Sequence, residues 1–296
     1  FWHPPVGRSF EGSYSEAVDL VRELFLDSVR RNLRSDVPLG IALSGGVDSS
    51  AIAGAVRHLE PDMPISTFSF IAPGFAESEH EWIEKVANAV GVTSHTVSAT
   101  AADLERDVDD LIRASGEPFG STSIYAQFKV FELARERGIT VTLDGQGGDE
   151  LFAGYDGYPE HRMKSLIETG HWAQAREFAR GWSEWPGRSS RRLAIATAGQ
   201  FVPRRFRGRV IRTPLSPLFN ADHLRARDVD VRFPLVSAEG ARGRRLASRL
   251  RSAMTREGLP SLLRNGDRNS MHFSIESRVP FLDCALAEVV LSLPEA

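Results

Sequence analysis

Pro38-Leu39-Gly40-Ile41-Ala42-Leu43 is a short apolar run that ends in Ser44-Gly45-Gly46 and passes through Val47-Asp48 into a helix-compatible stretch over Ser49–His58. Strand, glycine turn and helix in that order form the opening unit of an α/β sheet, and the turn falls at the carboxyl end of the strand. Upstream, Ala17, Val18, Val21, Leu24, Phe25, Val29 and Leu33 recur mostly at three- and four-residue spacing, which predicts an amphipathic helix over 14–33 with Ser15 as its N-cap. Downstream the alternation continues with strand 65–71, helix 79–90, strand 93–97, helix 101–114 and helix 124–137, closed by Gly138 as C-cap. Ile139-Thr140-Val141-Thr142-Leu143 is then a β-branched strand running into Asp144-Gly145-Gln146-Gly147-Gly148-Asp149. Strands alternating with helices predict an α/β fold with a doubly wound parallel sheet, covered on both faces.

Beyond Tyr158 the strand candidates fade and the chain reads as a mostly helical half, with helices over 171–182 and 238–254. Trp172, Trp182 and Trp185 read there as core or interface packing rather than a cofactor box. Residues 160–268 hold 23 of the 36 basic side chains and 10 of the 39 acidic ones, an excess of +13 in a chain whose net charge is −3. Arg204-Arg205-Phe206-Arg207-Gly208-Arg209 concentrates that charge, as a solvated or subunit-facing loop or as a phosphate clamp. Length (296 residues) and composition (42% apolar, 25% charged) are those of an ordinary globular chain. One cysteine, Cys284, excludes an internal disulfide and a multi-cysteine metal site. No apolar run reaches the roughly 18 residues of a membrane span, and Phe1-Trp2-His3-Pro4-Pro5 is no signal peptide. A cytoplasmic protein with neither membrane nor nucleic-acid partner is expected.

Both glycine loops lie where an open parallel sheet collects backbone N–H groups and helix N-termini, so an anion belongs there. Glycines at 45 and 46 let the backbone wrap a phosphate while Ser44, Ser49 and Ser50 offer hydroxyls. The loop is neither a Walker A sequence nor a GxGxxG fingerprint, which removes most kinases, GTPases and dehydrogenases. Asp48 inside such a loop would repel phosphate unless a cation lay between them, and Mg²⁺ is the usual bridge. Asp149, after Gly145, Gly147 and Gly148, supplies a second carboxylate for the same metal. Either loop alone has a tight turn as its lesser alternative; two loops in order, each after a strand, leave that reading little room.

The motif Ser44-Gly45-Gly46-Val47-Asp48-Ser49-Ser50 resembles the pyrophosphate loop of the N-type ATP pyrophosphatases. Two further blocks, 143–155 and 267–283, narrow the resemblance to the asparagine synthetase family, across nearly the whole chain. The family implies an adenine-nucleotide alpha hydrolase-like core and an enzyme in two parts. An N-terminal glutaminase releases ammonia, and a synthetase uses Mg·ATP to adenylate a carboxylate, aspartate by default, then forms the amide and AMP. By this resemblance residues 1–13 are a linker remnant, 14–158 the pyrophosphatase core, 159–262 a helical insertion and 263–296 the substrate-site segment. Ammonia would come from a glutaminase domain of the full-length chain, and a homodimer is compatible with the family.

Carried over by position, Leu43 and Phe70 border the adenine, although a smaller aliphatic residue is usual at position 70. Asp144 and Gly145 lie at the nucleotide, the serine-glycine loop holds pyrophosphate, and Asp48 with Asp149 binds Mg²⁺. Glu276 and Arg278 suit either an ion pair facing the substrate or a structural bridge. Gln146 stands where asparagine-forming members carry a glutamate and a β-lactam-forming relative a tyrosine; a glutamine amide cannot be a general base. The family also places a lysine after the last block, whereas the final lysine here is Lys164. That residue is expected beyond position 296, so the fragment alone is expected to bind nucleotide without turnover. Gln146 favours, as the alternative, a relative acting on a sugar acid, a peptide or a natural-product carboxylate. More distant readings are a tRNA-modifying enzyme with the same loop, and a scaffold without catalysis.

Overall fold

The computed structural model describes residues 2–4, 9–72, 74, 79–117, 119–202, 223–224, 226–228 and 242–295. Five strands form one parallel sheet in the order β3-β2-β1-β4-β5, with β1 Leu39–Ala42, β2 Ser66–Phe70, β3 Thr93–Val97, β4 Val141–Leu143 and β5 Glu276–Arg278. The α/β fold expected from the alternation is therefore present. Helices α1 (Tyr14–Asn32), α2 (Val47–Leu59), α3 (His80–Val90), α4 (Ala101–Ser115) and α5 (Ser123–Glu136) fall within two residues of the expected bounds.

Alternation along β1 explains the two-sided cover. Ile41 packs with Val29 of α1 and Ile52 and Val56 of α2, together with Leu143 and Phe281. On the other face Phe68 of β2 packs against Phe131 and Ala134 of α5, with Ile139 and Ile275. Gly40 is what lets Phe68 lie there, since a Cβ at position 40 would come within 2.7 Å of the Phe68 ring. Central β2 is buried on both faces at Thr67, Phe68 and Ser69, as a parallel strand under two helical layers must be.

One expectation is corrected. The N-cap of α1 is Ser13, not Ser15: its hydroxyl accepts the Glu16 N–H at 3.2 Å and the Glu16 carboxylate accepts the Ser13 N–H at 2.7 Å, a complete capping box. Within the mostly helical second half, Glu276–Arg278 is a strand of which the residue pattern carries no sign; it pairs with β4 through Glu276 N–H to Thr140 O (2.9 Å) and Asp144 N–H to Arg278 O (2.8 Å). Gly138 does close α5, with φ +75° and its N–H bonded to Arg135 O.

The chain divides into two compact units, Phe1–Gly154 with Ala253–Leu293, and Tyr155–Ser252 with Pro294–Ala296. The first holds the sheet, α6 (Gly148–Phe152), α11 (Leu259–His272), a 3₁₀ turn (Pro280–Leu282) and α12 (Cys284–Ser292). In the second, α7 (Pro159–Glu168), α8 (Trp172–Ser183) and α9 (Ser190–Phe201) pack through Met163, Leu166, Ala175 and Leu193, with Trp182 alongside. Trp172 and Trp185 do not share that packing; each is 64% exposed. The Arg204–Arg209 cluster and the first part of the 238–254 helix lie outside the described residues, whereas α10 is described over Arg245–Thr255. No helix among the described residues is long and apolar enough to cross a membrane.

Candidate active site

The strand order reverses at β1, because the chain moves outward through β2 and β3 on one side and then returns to β4 on the other. Open parallel sheets bind ligands beyond the carboxyl ends of the strands that flank such a reversal. Those strands are β1 and β4, and a glycine loop leaves the carboxyl end of each.

The first loop is stiffened from within. Ser44 Oγ accepts the Gly46 N–H at 3.1 Å, Ser49 Oγ accepts the Ser44 N–H at 3.2 Å, and Ser50 Oγ donates to Gly46 O at 2.7 Å. Gly45 takes φ +85°, and a Cβ there would lie 3.0 Å from Ile83 N and Trp82 Cβ, so the first turn of α3 closes on the loop. Gly46 caps α2 without any side-chain bond, leaving first-turn N–H groups of α2 available to an anion.

The second loop is built against the first. A Cβ on Gly145 would sit 3.1 Å from Ser49 N, and one on Gly148 would collide with the Asp48 carboxylate. One on Gly154 would collide with Asp149 Oδ1. These glycines are therefore cut to the shape of the two acids. The Asp48 carboxylate accepts the Asp149 backbone N–H, which joins the loops directly. Burial first, then the charges of Asp149 and Glu150, push the Asp48 carboxyl up to about 6. Burial also raises Asp149.

Asp144 is buried, and burial raises it to about 6, although its carboxylate accepts the Gln146 N–H at 3.2 Å. Gln146 is half-buried. Asp48 and Asp149 thus stand together with Glu150 nearby, and among the described residues no cation offsets Asp48. No group of three or more His, Cys, Asp or Glu side chains among the described residues forms a metal cage. A pair of repelling carboxylates beside an anion loop fits Mg²⁺, which commonly takes one or two protein carboxylates and completes its shell with phosphate and water.

The adenine-side residues are placed unequally. Phe70 ends β2 and is half-buried, whereas Leu43 is 1% exposed, with its N–H spent on Phe68 O at 2.9 Å. Its side chain serves the core as it stands.

Arg278 is brought to the start of the second loop by its backbone, whose carbonyl accepts the Asp144 N–H at 2.8 Å, whereas the Glu276 and Arg278 side chains are engaged with each other and with the end of α1. Arg278 Nε donates to Glu276 at 2.7 Å, while its Nη1 donates to Asn32 O (2.6 Å) and Arg34 O (2.8 Å), the carbonyls that lead into the start of β1. Glu276 stands in register with Val141 at the start of β4 and is exposed. The pair thus forms an ion pair along β5, and its guanidinium also ties down the carbonyls of Asn32 and Arg34. Sequence reasoning missed Glu150 and the fit of Gly148 and Gly154 to the acids. Only the density of glycine around 145–154 hinted at the last.

A family model described as asparagine synthase matches residues 20–296. A putative glutamine-hydrolysing asparagine synthetase 2 of Methanocaldococcus jannaschii is 37% identical over 134 residues, 45% of this chain and 26% of that protein. A Gibberella zeae protein named amidase chry2 is 25% identical over 312 aligned positions, 95% of this chain and 46% of its own length. The glutamine-hydrolysing asparagine synthetase 3 of Bacillus subtilis is 28% identical over 301, covering 95% and 43%. The chain spans less than half the length of each of these relatives.

Proposed function

The chain belongs to the asparagine synthase family, and on that premise we propose that it is the ATP-dependent, amide-forming part of a glutamine-dependent amidotransferase. The observation that carries this reading is the meeting of two glycine loops at the strand-order reversal, with Asp48 and Asp149 crowded between them. Mg·ATP lies between Ser44–Ser50 and Asp144–Asp149, with its pyrophosphate at the first turn of α2. A carboxylate oxygen of the substrate bonds to the α-phosphorus as the bond to the β-phosphate bridge breaks, and pyrophosphate leaves. Ammonia then bonds to the acyl carbon, gives up a proton, and AMP departs with the C–O bonding pair.

Preorganised N–H groups of the Ser44–Ser50 loop stabilise the charge that grows on pyrophosphate. Magnesium held by Asp48 and Asp149 supplies charge neutralisation at the phosphates. Gln146 can donate and accept hydrogen bonds at this site but takes no proton from the amine.

Aspartate is the default carboxylate, with ammonia from a glutaminase part of the full-length protein. A larger carboxylate is the second reading, favoured by Gln146 and by the fungal proteins named amidases that align over 95% of this chain. The test supplies the full-length protein with Mg·ATP, aspartate and ammonia and follows AMP, pyrophosphate and asparagine together, with Asp48→Ala as control. Asparagine formation lost in the control supports the first reading. Pyrophosphate release only with larger carboxylates supports the second, and no pyrophosphate with any carboxylate removes both.

A further inference from the structure

Gly147 caps α6 in the left-handed region, at φ +95°, with no side-chain bond. Its carbonyl accepts the Leu151 N–H at 3.0 Å, the bond that opens the helix carrying Asp149. A Cβ at this position would collide with Leu282 Cδ2 and lie 2.7 Å from Leu282 Cγ. Conformation and neighbour therefore both demand glycine, and the Leu282 side chain stands in the space that a side chain at 147 would take. On the same loop Gly145 is packed on Ser49 N and Gly148 on the Asp48 carboxylate. The stretch 145–148 thus touches the first loop and α2 through two glycines, and Leu282 through a third.

Leu282 is itself held by its neighbours. It closes the 3₁₀ turn, with its N–H bonded to Val279 O at 3.0 Å. Phe281 is buried and stacks on Phe25 of α1, ring centroids 4.7 Å apart, while Phe152 of α6 meets it in a T-shaped pair at 6.1 Å. Ser28 of α1, also buried, donates its hydroxyl to Pro280 O at 2.7 Å. Asp283 accepts Arg31 Nη2 at 3.0 Å and caps α12 by accepting the Leu286 N–H at 3.0 Å. A half-buried leucine on a loose turn would add only packing area. With Pro280, Phe281 and Asp283 all fixed, it is a rigid surface that admits one backbone conformation of the loop beside it.

We infer that Leu282 is a positioning residue for the second glycine loop: pinned to α1 through its neighbours, it fills the space beside Gly147 and sets the backbone that carries Gln146 into α6 and Asp149. The use of that order rests on the proposed function; the contact itself does not.

The test measures the affinity of the full-length protein for a non-hydrolysable Mg·ATP analogue by calorimetry, at a temperature where each variant is fully folded, beside its stability in chemical denaturation. Leu282→Ala should weaken the analogue by about tenfold, since misplacing a positioned group by about 1 Å carries costs of that scale or larger. Leu282→Met keeps the bulk and should bind within about threefold of the parent. Ser28→Ala leaves Leu282 and both loops unaltered but removes the hold on Pro280 O, and should weaken binding by about fivefold, the value of one hydrogen bond. Gly147→Ala should also weaken binding, but by less in the Leu282→Ala background than in the parent, because the added methyl then enters vacated space. The strain of alanine at φ +95° is common to both backgrounds and cancels in that comparison.

Lower stability with unchanged affinity in Leu282→Ala would make Leu282 a packing residue only and overturn the inference, leaving the proposed function intact. So would a loss that Leu282→Met fails to recover, or purely additive losses for Gly147→Ala and Leu282→Ala. Should the parent bind no analogue, the proposed function fails, and denaturation alone decides the inference. Non-additive stabilities of the same two substitutions then keep it, and additive ones remove it as well.

Discussion

The two edges of the one sheet treat charge in opposite ways. Along β5, the lateral edge strand, the Arg278 side chain reaches Glu276, Asn32 O and Arg34 O, and its guanidinium holds the Glu276 carboxyl below the usual range. At the strand ends Asp48 meets two further acids and one backbone N–H, and it is raised to about 6. Both edges are built from the family blocks, and both are polar. The first is closed within the protein and contributes stability; at the second, among the described residues, no cation offsets Asp48, which supports the proposed site for a cation and an anion together.

Asp48→Ala strikes the open edge hardest. Losing several kcal/mol of charge stabilisation, it should lower Mg·ATP-dependent pyrophosphate release by roughly 10²–10³-fold, measured by a coupled pyrophosphate assay. A loss of less than a few-fold would erase the distinction between the edges. Next is Gly148→Ala, whose methyl would collide with the Asp48 carboxylate. The displaced carboxylate should cost about tenfold or more in affinity for the Mg·ATP analogue by calorimetry, since misplacement of a positioning group by about 1 Å can cost 10²-fold in rate.

At the closed edge Arg278→Ala removes donors from two carbonyls and should lower stability by about 1–3 kcal/mol in chemical denaturation. Activity per folded molecule should stay unchanged. An equal stability with a lost activity would return Glu276 and Arg278 to the substrate.

The smallest effect concerns pH. The Asp48 carboxyl is higher in the fold, at about 6, than the ordinary 3.8, so the folded state binds its proton more tightly. Its ionisation therefore reduces stability as pH rises from about 4 to 6, and the penalty is complete above 6. Without metal, Asp48→Asn should melt higher than the parent at pH 7.5, with the gap closing below about pH 4. Thermal melting across that range checks the sign.

Much of this is legible in the sequence because it is local. The apolar run before Ser44-Gly45-Gly46 and the β-branched run before Asp144 each carry strand, turn and helix within a few residues, so the residues alone place both loops at strand ends. Glu276-Ser277-Arg278 has no apolar alternation and so carries no strand signal; it is a short edge strand held by backbone bonds to β4. Ser15 lies nearer the apolar stripe of α1, yet it is Ser13-Tyr14-Ser15-Glu16 that carries the capping-box spacing. The role of Arg278 depends on carbonyls 244 and 246 residues away, and the Ser28–Pro280 bond spans 252. No spacing rule reaches that far. Gln146 and the crowding of Glu150 on Asp48 show the same limit: residue type is plain in the sequence, and its electrostatic setting is not.

The most direct measurement is equilibrium binding of ATP to the full-length protein at pH 7.5, with and without Mg²⁺, for the parent and for Asp48→Asn. Binding that requires Mg²⁺ in the parent and is lost or made metal-independent in Asp48→Asn is the predicted result. ATP bound equally in all four conditions, or in none, would contradict a site built from the two glycine loops with Asp48 and Asp149.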